Sequence, residues 1–339
     1  MSEPTSSAGA ATSRKALAIN LDRSAYGAFA EIGAGQEVVR HFFKAGGASG
    51  TVAKSMSAYD MRVSDAIYGH PKRYVSRERL EQMLQHEYQL LVDRLAAERG
   101  AQTRFFAFAD TVATTPHDGK GQGHSWIGLR FQEAPLSPPS EVLLHLRLWD
   151  KDAGRQQDAL GIVGVNLIHA ALNARTGVDA FLTALVDGVG VGRVEVEFVH
   201  FRGPAFGAFD NRSAALRLVR LGLTDAVLFG PEGLPEVPSE YLYKKNLLVA
   251  RGTFRPVSLV NEDMLACALR TSATPARRSC RSSRCASGRT RTLRRSSLTA
   301  SASSPRSAAR CSSPGIAGGT ACRPISACTP PGASRWSRV

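Results

Sequence analysis

Apolar residues recur at helical spacing between Ser76 and Arg99, where Leu80, Met83, Leu84, Tyr88, Leu91, Val92, Leu95 and Ala96 fall on one face. A stripe of that width predicts an amphipathic helix laid on a core. Ser76 stands where its hydroxyl can cap the first turn, and Gly100 follows the last. Three runs then read as strands: FFAFADTVA (105–113), WIGLRFQ (126–132) and EVLLHLRLW (141–149). A glycine-rich polar loop joins the first two, and PLSPPS joins the last two. Residues 154–174 and 177–187 read as helices, RVEVEFVHF (193–201) as an alternating strand, 210–221 as a helix capped by Asp210, and TDAVLFG (224–230) as a strand. Upstream, Gln36 to Ala45 reads as a short helix ended by Gly46-Gly47. Strands interleaved with helices predict an α/β fold, a mixed sheet flanked by helices. The 105–149 block suits either an antiparallel meander or a mixed sheet.

Charge divides the chain unevenly. From Met264 to Val339 there are fourteen arginines, no lysine and no acidic residue, and all six cysteines lie there too. Residues 1–263 hold the remaining 29 basic residues against 29 acidic ones, so that part is neutral. The expected organisation is a disordered arm (1–14), an α/β domain (15–266) with a subdomain boundary near 150 as one option, and a disordered Arg/Ser/Cys-rich tail (267–339). Such a composition buries too little apolar surface to offset its ordering entropy.

Three readings of the tail compete. A basic tail can bind nucleic acid through phosphates, but the neutral domain removes the main argument for a polyanion partner. A cysteine framework fails on spacing, and the tail has no histidine. Out-of-frame translation of a GC-rich gene explains both the lost acids and the gained Arg, Ser, Ala, Pro and Cys, and is the reading we favour. Back-translating residues 315–329 and starting at the third base of the first codon permits the peptide DRGWYRLSAYLGLY. Residues 332–339 permit GIPLVAG. The first has amphipathic-helix spacing and the second resembles a buried strand. The chain would then lack a C-terminal half.

Residues 1–266 contain no cysteine, so no disulfide is expected in the folded part. The polar start MSEPTSSAGAATSRKALAIN does not resemble a signal peptide. No run of about 18 uncharged apolar residues is present, so a cytoplasmic protein without a membrane partner is expected.

Candidate chemistry lies in glycine-rich turns. Gly33-Ala34-Gly35 precedes a helix, as a phosphate-cradling turn does, although Val38 replaces the third glycine of the dinucleotide fingerprint. GGASGTVAKS (46–55) is a distorted phosphate loop in which Gly47 and Gly50 leave amides open and Lys54 is near in sequence; a helix end and a flexible joint is the plainer reading. TTPHDGKGQGHS (114–125) places His117, Asp118, Lys120 and His124 among glycines, directly after a strand ending at Asp110-Thr111. Loops at strand ends often carry function, and a solvated hairpin is the alternative. LRLWDKD (146–152) sets Arg147, Asp150 and Asp152 at another strand end, where carboxylates suit Mg²⁺ or a solvated turn.

The segments AEIGAGQEVVRHFFKAGGASGTVAKSMSAYDM, RYVSRERLEQMLQHEYQLL, FFAFADTVAT, ALGIVGVNLI and LTDAVLFGPEG resemble a family of longer bacterial cytoplasmic proteins assigned as nicotinate-nucleotide (nicotinamide mononucleotide) adenylyltransferases. The resemblance runs from about Leu17 to Ala266. The family continues with a YYRLAAYL-like helix and a GLVMG-like strand, in the order of the shifted-frame peptides. The H-x-G-H motif of the adenylyltransferases of NAD synthesis is absent: Tyr68-Gly69-His70 and Gly121-Gln122-Gly123-His124 stand instead. The resemblance implies transfer of an adenylyl group from ATP to a pyridine mononucleotide with Mg²⁺. Lys54, Lys120 and His124 would hold phosphates, and Asp110 or Asp150 the metal. A non-catalytic protein binding a small phosphorylated metabolite or nucleotide through the same glycine turns is the alternative.

Overall fold

A computed structural model describes residues 5–33, 36–116, 121–173, 177–190, 192–250, 256–273 and 298–299. In chain order the main elements are α1 (Thr5–Asn20), β1 (Ala25–Ile32), α2 (Glu37–Ala45), β2 (Val52–Met56), α3 (Met61–Tyr68), α4 (Arg77–Arg99), β3 (Arg104–Ala113), β4 (Gly123–Gln132), β5 (Pro139–Leu148), α5 (Ala153–Asn173), α6 (Val178–Leu185), β6 (Val194–Arg202) and α7 (Asn211–Arg220). The strands form one mixed sheet in the order β2-β1-β3-β4-β5-β6. β1 is parallel to both β2 and β3, and β3 to β6 form an antiparallel meander. Both options for the 105–149 block are therefore realised: the meander is part of a mixed sheet. Residues on either side of position 150 build this sheet, because β6 pairs with β5.

The two faces have different cores. Phe29, Phe106, Phe108, Ile127, Leu129, Leu144 and Leu146 point to one side and pack on α1, α2 and α5. Ala30, Ala109, Trp126, Leu143 and Phe198 point to the other and meet Leu80, Met83 and Leu84 of α4. This alternation is the period of a pleated strand covered on both faces. α4 begins as the sequence predicts, with Ser76 Oγ accepting from the Arg79 amide at 3.2 Å. α7 does likewise, with Asp210 accepting from Ser213 at 2.7 Å. α5 is buried nearly all round, and its small residues let α2 approach. A Cβ on Gly164 would lie 2.3 Å from Val38 Cγ2, and one on Gly161 would lie 3.1 Å from Glu37 Cβ.

Four elements depart from expectation. The segment read as a disordered arm is helical from Thr5, and α1 is tied down by buried Ala16 and Ile19 and by Lys15, whose Nζ donates to Asn166 Oδ1 at 2.7 Å. β1 and β2 carry weak signals, being short and rich in alanine, glycine and polar residues, yet β1 is a central strand. The run 224–230 contributes only β7 (Leu228–Phe229), paired with β8 (Pro235–Glu236) and with β9 (Leu298–Thr299) in a small separate sheet.

Two further helices follow, α8 (Pro238–Tyr241) and α9 (Leu259–Ala273), and α9 carries the chain seven residues past Ala266. The rest of the 267–339 tail, apart from β9, lies outside the described residues. Among the described residues no helix is long and apolar enough to cross a membrane. Leu247, Leu248, Val249, Leu259, Val260, Met264 and Leu269 are all exposed, so this stretch adds little to the core. Deleting residues 256–339 is therefore expected to leave the thermal midpoint within about 2 °C of the full chain, since about 1 kcal/mol shifts a domain of this size by roughly 2–4 °C, and to reduce aggregation. Calorimetry and light scattering on the two proteins check both; a large drop in midpoint would show that the segment stabilises the domain.

Candidate functional site

β1 sends the chain through α2 to β2 on one side, and the chain then returns through α4 to β3 on the other. A switch of this kind leaves a crevice at the carboxyl ends of the strands. Here the ends of β1, β3 and β5 meet the starts of β4 and β6. The end of β4 nearest the crevice begins at Gly123, where a side chain has no room: a Cβ would lie 2.6 Å from Gln156 Oε1. Gln156 of α5 is fully buried and ties together the segments that follow β3 and β5. It accepts from the Thr115 amide at 2.9 Å and donates to Thr115 Oγ1 at 2.7 Å and to the Asp150 carbonyl at 2.6 Å.

On the α4 face of this end stand His124, His145, Glu197 and Arg147. A β-bulge makes the arrangement possible. Leu146 pairs with Val196 and His145 with Phe198, so Glu197 is an extra residue in β6. The bulge turns its carboxylate to the same face as His145 and Arg147. Glu197 Oε2 lies 3.0 Å from His145 Nδ1, out of line for a hydrogen bond, while Arg147 donates to Oε1. His145 is 1% exposed, and its Nε2 meets no partner among the described residues. The His124 ring lies 5.7 Å from that of His145, and the Trp126 ring 5.0 Å. Trp126 Nε1 donates to Glu240 Oε1 at 2.8 Å, which closes one side of the cluster.

The electrostatics separate the roles. Burial, then the neighbouring His145 and the charge of Arg73, hold His124 below the usual imidazole range, so it is neutral at pH 7. Burial pushes Glu197 up, but His145 and the Arg147 charge outweigh it and leave the carboxylate ionised. An ionised carboxylate beside one imidazole and a second, neutral imidazole next to it can orient and move protons or hydrogen-bond an anionic group. His200, farther along β6, is held down to about 4 by burial and by Arg77 and Arg202.

The residues singled out in the sequence do not form one group. His124 belongs to this cluster. Lys120 and Gly35 lie outside the described residues, although the segment holding Lys120 joins β3 to β4 directly before His124. Asp110 points the opposite way, toward α2 and α5, following Phe106 and Phe108 on the same face of β3. It is 1% exposed, pairs in register with Glu31, and accepts from the Ile32 amide at 3.1 Å. Burial, with the Glu31 carboxylate next to it, raises its pKa well above the usual carboxylate range. Glu31 itself accepts from the Val38 and Val39 amides at 2.8 and 3.1 Å. The start of α2, which follows Gly33 as a phosphate-cradling turn requires, is thus already capped by the Glu31 carboxyl group from within the chain.

Gly47 and Gly50 lie in the turn after α2, whose last carbonyls are met by Asn20 Nδ2. The Gly50 and Thr51 amides close on Gly47 and Ala48. Lys54 turns away from that turn to Glu87 of α4, 2.5 Å away. Asp150 is held by Arg193 at 2.6 Å and Arg155 at 3.5 Å. Neither Asp110, enclosed and held toward its protonated form, nor Asp150, matched by two guanidinium groups, presents a free carboxylate to a metal. Among the described residues no three His, Cys, Asp or Glu side chains converge as a metal site would need.

His145 and Glu197 are the functional candidates that sequence reading missed. His145 had a signal: in EVLLHLRLW it alternates with Leu144 and Leu146, which places a histidine on a buried face. Glu197 had none, because a bulge is a property of the pairing and not of one strand.

No protein-family model and no curated protein matches the chain. Among solved structures it is similar to the competence/damage inducible protein CihA from Agrobacterium tumefaciens, at 16% identity and a TM-score of 0.35, over 50% of this chain and 98% of that one. It is likewise similar to a CinA superfamily protein from Escherichia coli, at 14% identity and a TM-score of 0.35, over 50% and 93% of the two chains. The competence damage-inducible protein A from Klebsiella pneumoniae matches at 10% identity and a TM-score of 0.35, over 48% and 94%. At this level of superposition the likeness assigns neither a family nor a function.

Proposed function

We propose that this protein handles a nucleotide or other phosphorylated metabolite at the end of the sheet where the carboxyl ends of β3 and β5 meet the start of β4, on the α4 face. The observation that carries the reading is the cluster of His124, His145, Glu197 and Arg147. The finer reading, which rests on the sequence resemblance, is adenylyl transfer from ATP to a pyridine mononucleotide. In such a transfer the protein mainly positions phosphates and neutralises developing charge. His124, neutral and with Nδ1 3.4 Å from the Gln122 carbonyl, can keep that nitrogen protonated and turn Nε2 to the substrate. His145, beside the Glu197 carboxylate, is its neighbour. Any Mg²⁺ would arrive on the nucleotide phosphates, since neither Asp110 nor Asp150 suits a resident ion.

The test is pyrophosphate release from ATP plus nicotinamide or nicotinate mononucleotide by the purified 339-residue chain. His124→Ala is expected to lower kcat/KM by about 100-fold or more, and Lys120→Ala to raise KM for ATP. Unchanged turnover in both variants removes those residues from the reaction. Calorimetric heat with nucleotide and no pyrophosphate identifies a binding protein instead.

A further inference from the structure

His145 and Trp126 are each 1% exposed, so neither meets a ligand from solvent while its cover is in place. His145 Nε2 is buried and without a partner among the described residues. A buried polar atom left unpaired is costly, and such an exception in a fold calls for an explanation. The cover is identifiable. Glu240 of α8 accepts from Trp126 Nε1 at 2.8 Å. Its charge acts on the His124 ring, as does that of Arg73. Val237, the residue before α8, is 3% exposed and packs in one cluster with Trp126 and Phe198. Residues 238–245 therefore lie over the end of the sheet that holds both histidines.

This segment is held differently from the strands beneath it. β3, β4 and β5 are each paired on both edges. In the segment the backbone bonds to itself: the Glu240 and Tyr241 amides donate to the Val237 carbonyl at 3.1 and 2.9 Å, Leu242 to Pro238 at 3.1 Å, and Lys245 to Leu242 at 3.1 Å. α8 buries none of its own residues. Outward it is held by side chains, through the Glu240–Trp126 hydrogen bond and the Tyr243 ring, which stands 5.2 Å from the Arg73 guanidinium. Both ends suit a hinge. Pro238 opens α8 with no amide proton to give. Lys244 has φ +54, in the left-handed region that favours glycine, and residues 246–249 beyond it are exposed. A segment with so few buried apolar contacts belongs to the low-stability end of a fold, where local opening is easier than global unfolding.

We propose that residues 238–245 are a lid over the His124–His145 cluster, latched by Glu240 on Trp126, which opens without unfolding the sheet and admits a ligand to His145. The proposal takes the cluster as the site and so rests on the reading under Proposed function. Opening withdraws the Glu240 carboxylate and frees the Trp126 N–H beside the two imidazoles, where an anionic group of the ligand can accept it. Closing again excludes water from the site, as lids do.

Access to His145 is measurable without a ligand. Diethylpyrocarbonate acylates unprotonated imidazole, and mass spectrometry of the treated full chain reads each histidine separately. His145 is expected to react about tenfold or more faster in Glu240→Ala than in wild type, while His41 on α2, across the sheet, changes less than about threefold. Hydrogen exchange in wild type is expected to show the amides of 239–245 opening about 100-fold or more readily than those of β4 and β5. A His145 rate equal in the two proteins, or segment amides protected as well as those of β4, would show a fixed cover and overturn the lid. Should Glu240→Ala fail to fold, exchange in wild type decides. Pyrophosphate release separates the two ideas: turnover under a fixed cover removes the lid alone, and an opening lid without turnover leaves the lid but removes the transferase reading.

Discussion

Gly33→Ala is expected to destabilise the domain by about 3 kcal/mol or more, a drop of roughly 10 °C in the thermal midpoint. Two effects act together. Gly33 has φ +101, in the region where an L side chain is strained. A Cβ there would also lie 2.2 Å from the Val112 carbonyl oxygen, a backbone atom of β3 that cannot swing aside. The chain turns from the end of β1 into α2 at this point, so relief by movement would disturb the Glu31 cap and the packing of α2 on α5. Gly50→Ala is the control. Its Cβ would meet nothing within 4 Å, its φ is not positive, and its expected change is within about 1 kcal/mol of zero. Urea unfolding of both variants measures the contrast. Similar small losses at the two positions would mean that the β1–α2 turn is not held against β3.

The second large effect is a pH dependence carried by Glu31. Burial raises its pKa from 4.5 to about 7, and the two α2 amides only partly oppose this. The folded state therefore holds a proton that the unfolded state has released. Stability from this source is complete below pH 4.5 and is lost as the pH rises through 7. By linkage, the shift is worth about 3 kcal/mol. Glu31→Gln removes the titration but gives up one carboxylate oxygen at the start of α2. The variant is thus expected to be less stable than wild type near pH 4 and to gain on it by about 3 kcal/mol by pH 8. Burial of His41, His124, His169 and His200 works with the opposite sign, lowering stability as the pH falls below about 6.5. Those contributions are common to both proteins and cancel in the difference. Urea titrations at several pH values give the curve; a difference that does not change with pH would show that Glu31 is ionised in the folded state throughout. Asp110→Asn, on the paired strand, should move in the same direction.

Much of the fold was legible because its longest elements carry strong periodic signals. α4 and the meander β3 to β6 are long, amphipathic or alternating, and capped by the residues whose chemistry suits a cap, such as Ser76 and Asp210. α1, β1 and β2 were harder to read. β1 is AYGAFAEI, and its Ala28 and Ala30 are buried by the α4 residues that face them, not by their own hydrophobicity. Gly27 shows the same dependence, since a Cβ there would lie 2.3 Å from the Phe106 ring. The space that makes a small residue favourable is defined by a strand about eighty residues away.

The sites divide along the same line. From the order of residues alone came the α/β class, the neutral domain beside a basic tail of foreign composition, the glycine turns at the ends of elements, and His124 in a loop-to-strand position. These follow from local periodicity, backbone freedom and composition, which need no partner. Only the tertiary structure decided that Asp110 and His124 face opposite sides of the sheet, that Lys54 is spent on Glu87, and that Asp150 is held by two arginines. It likewise decided that a bulge brings Glu197 to His145 and that Glu240 closes on Trp126. The physical reason is that a side chain's chemistry depends on charge, burial and acceptors set by strand register and helix packing, across separations that no local pattern in the chain records.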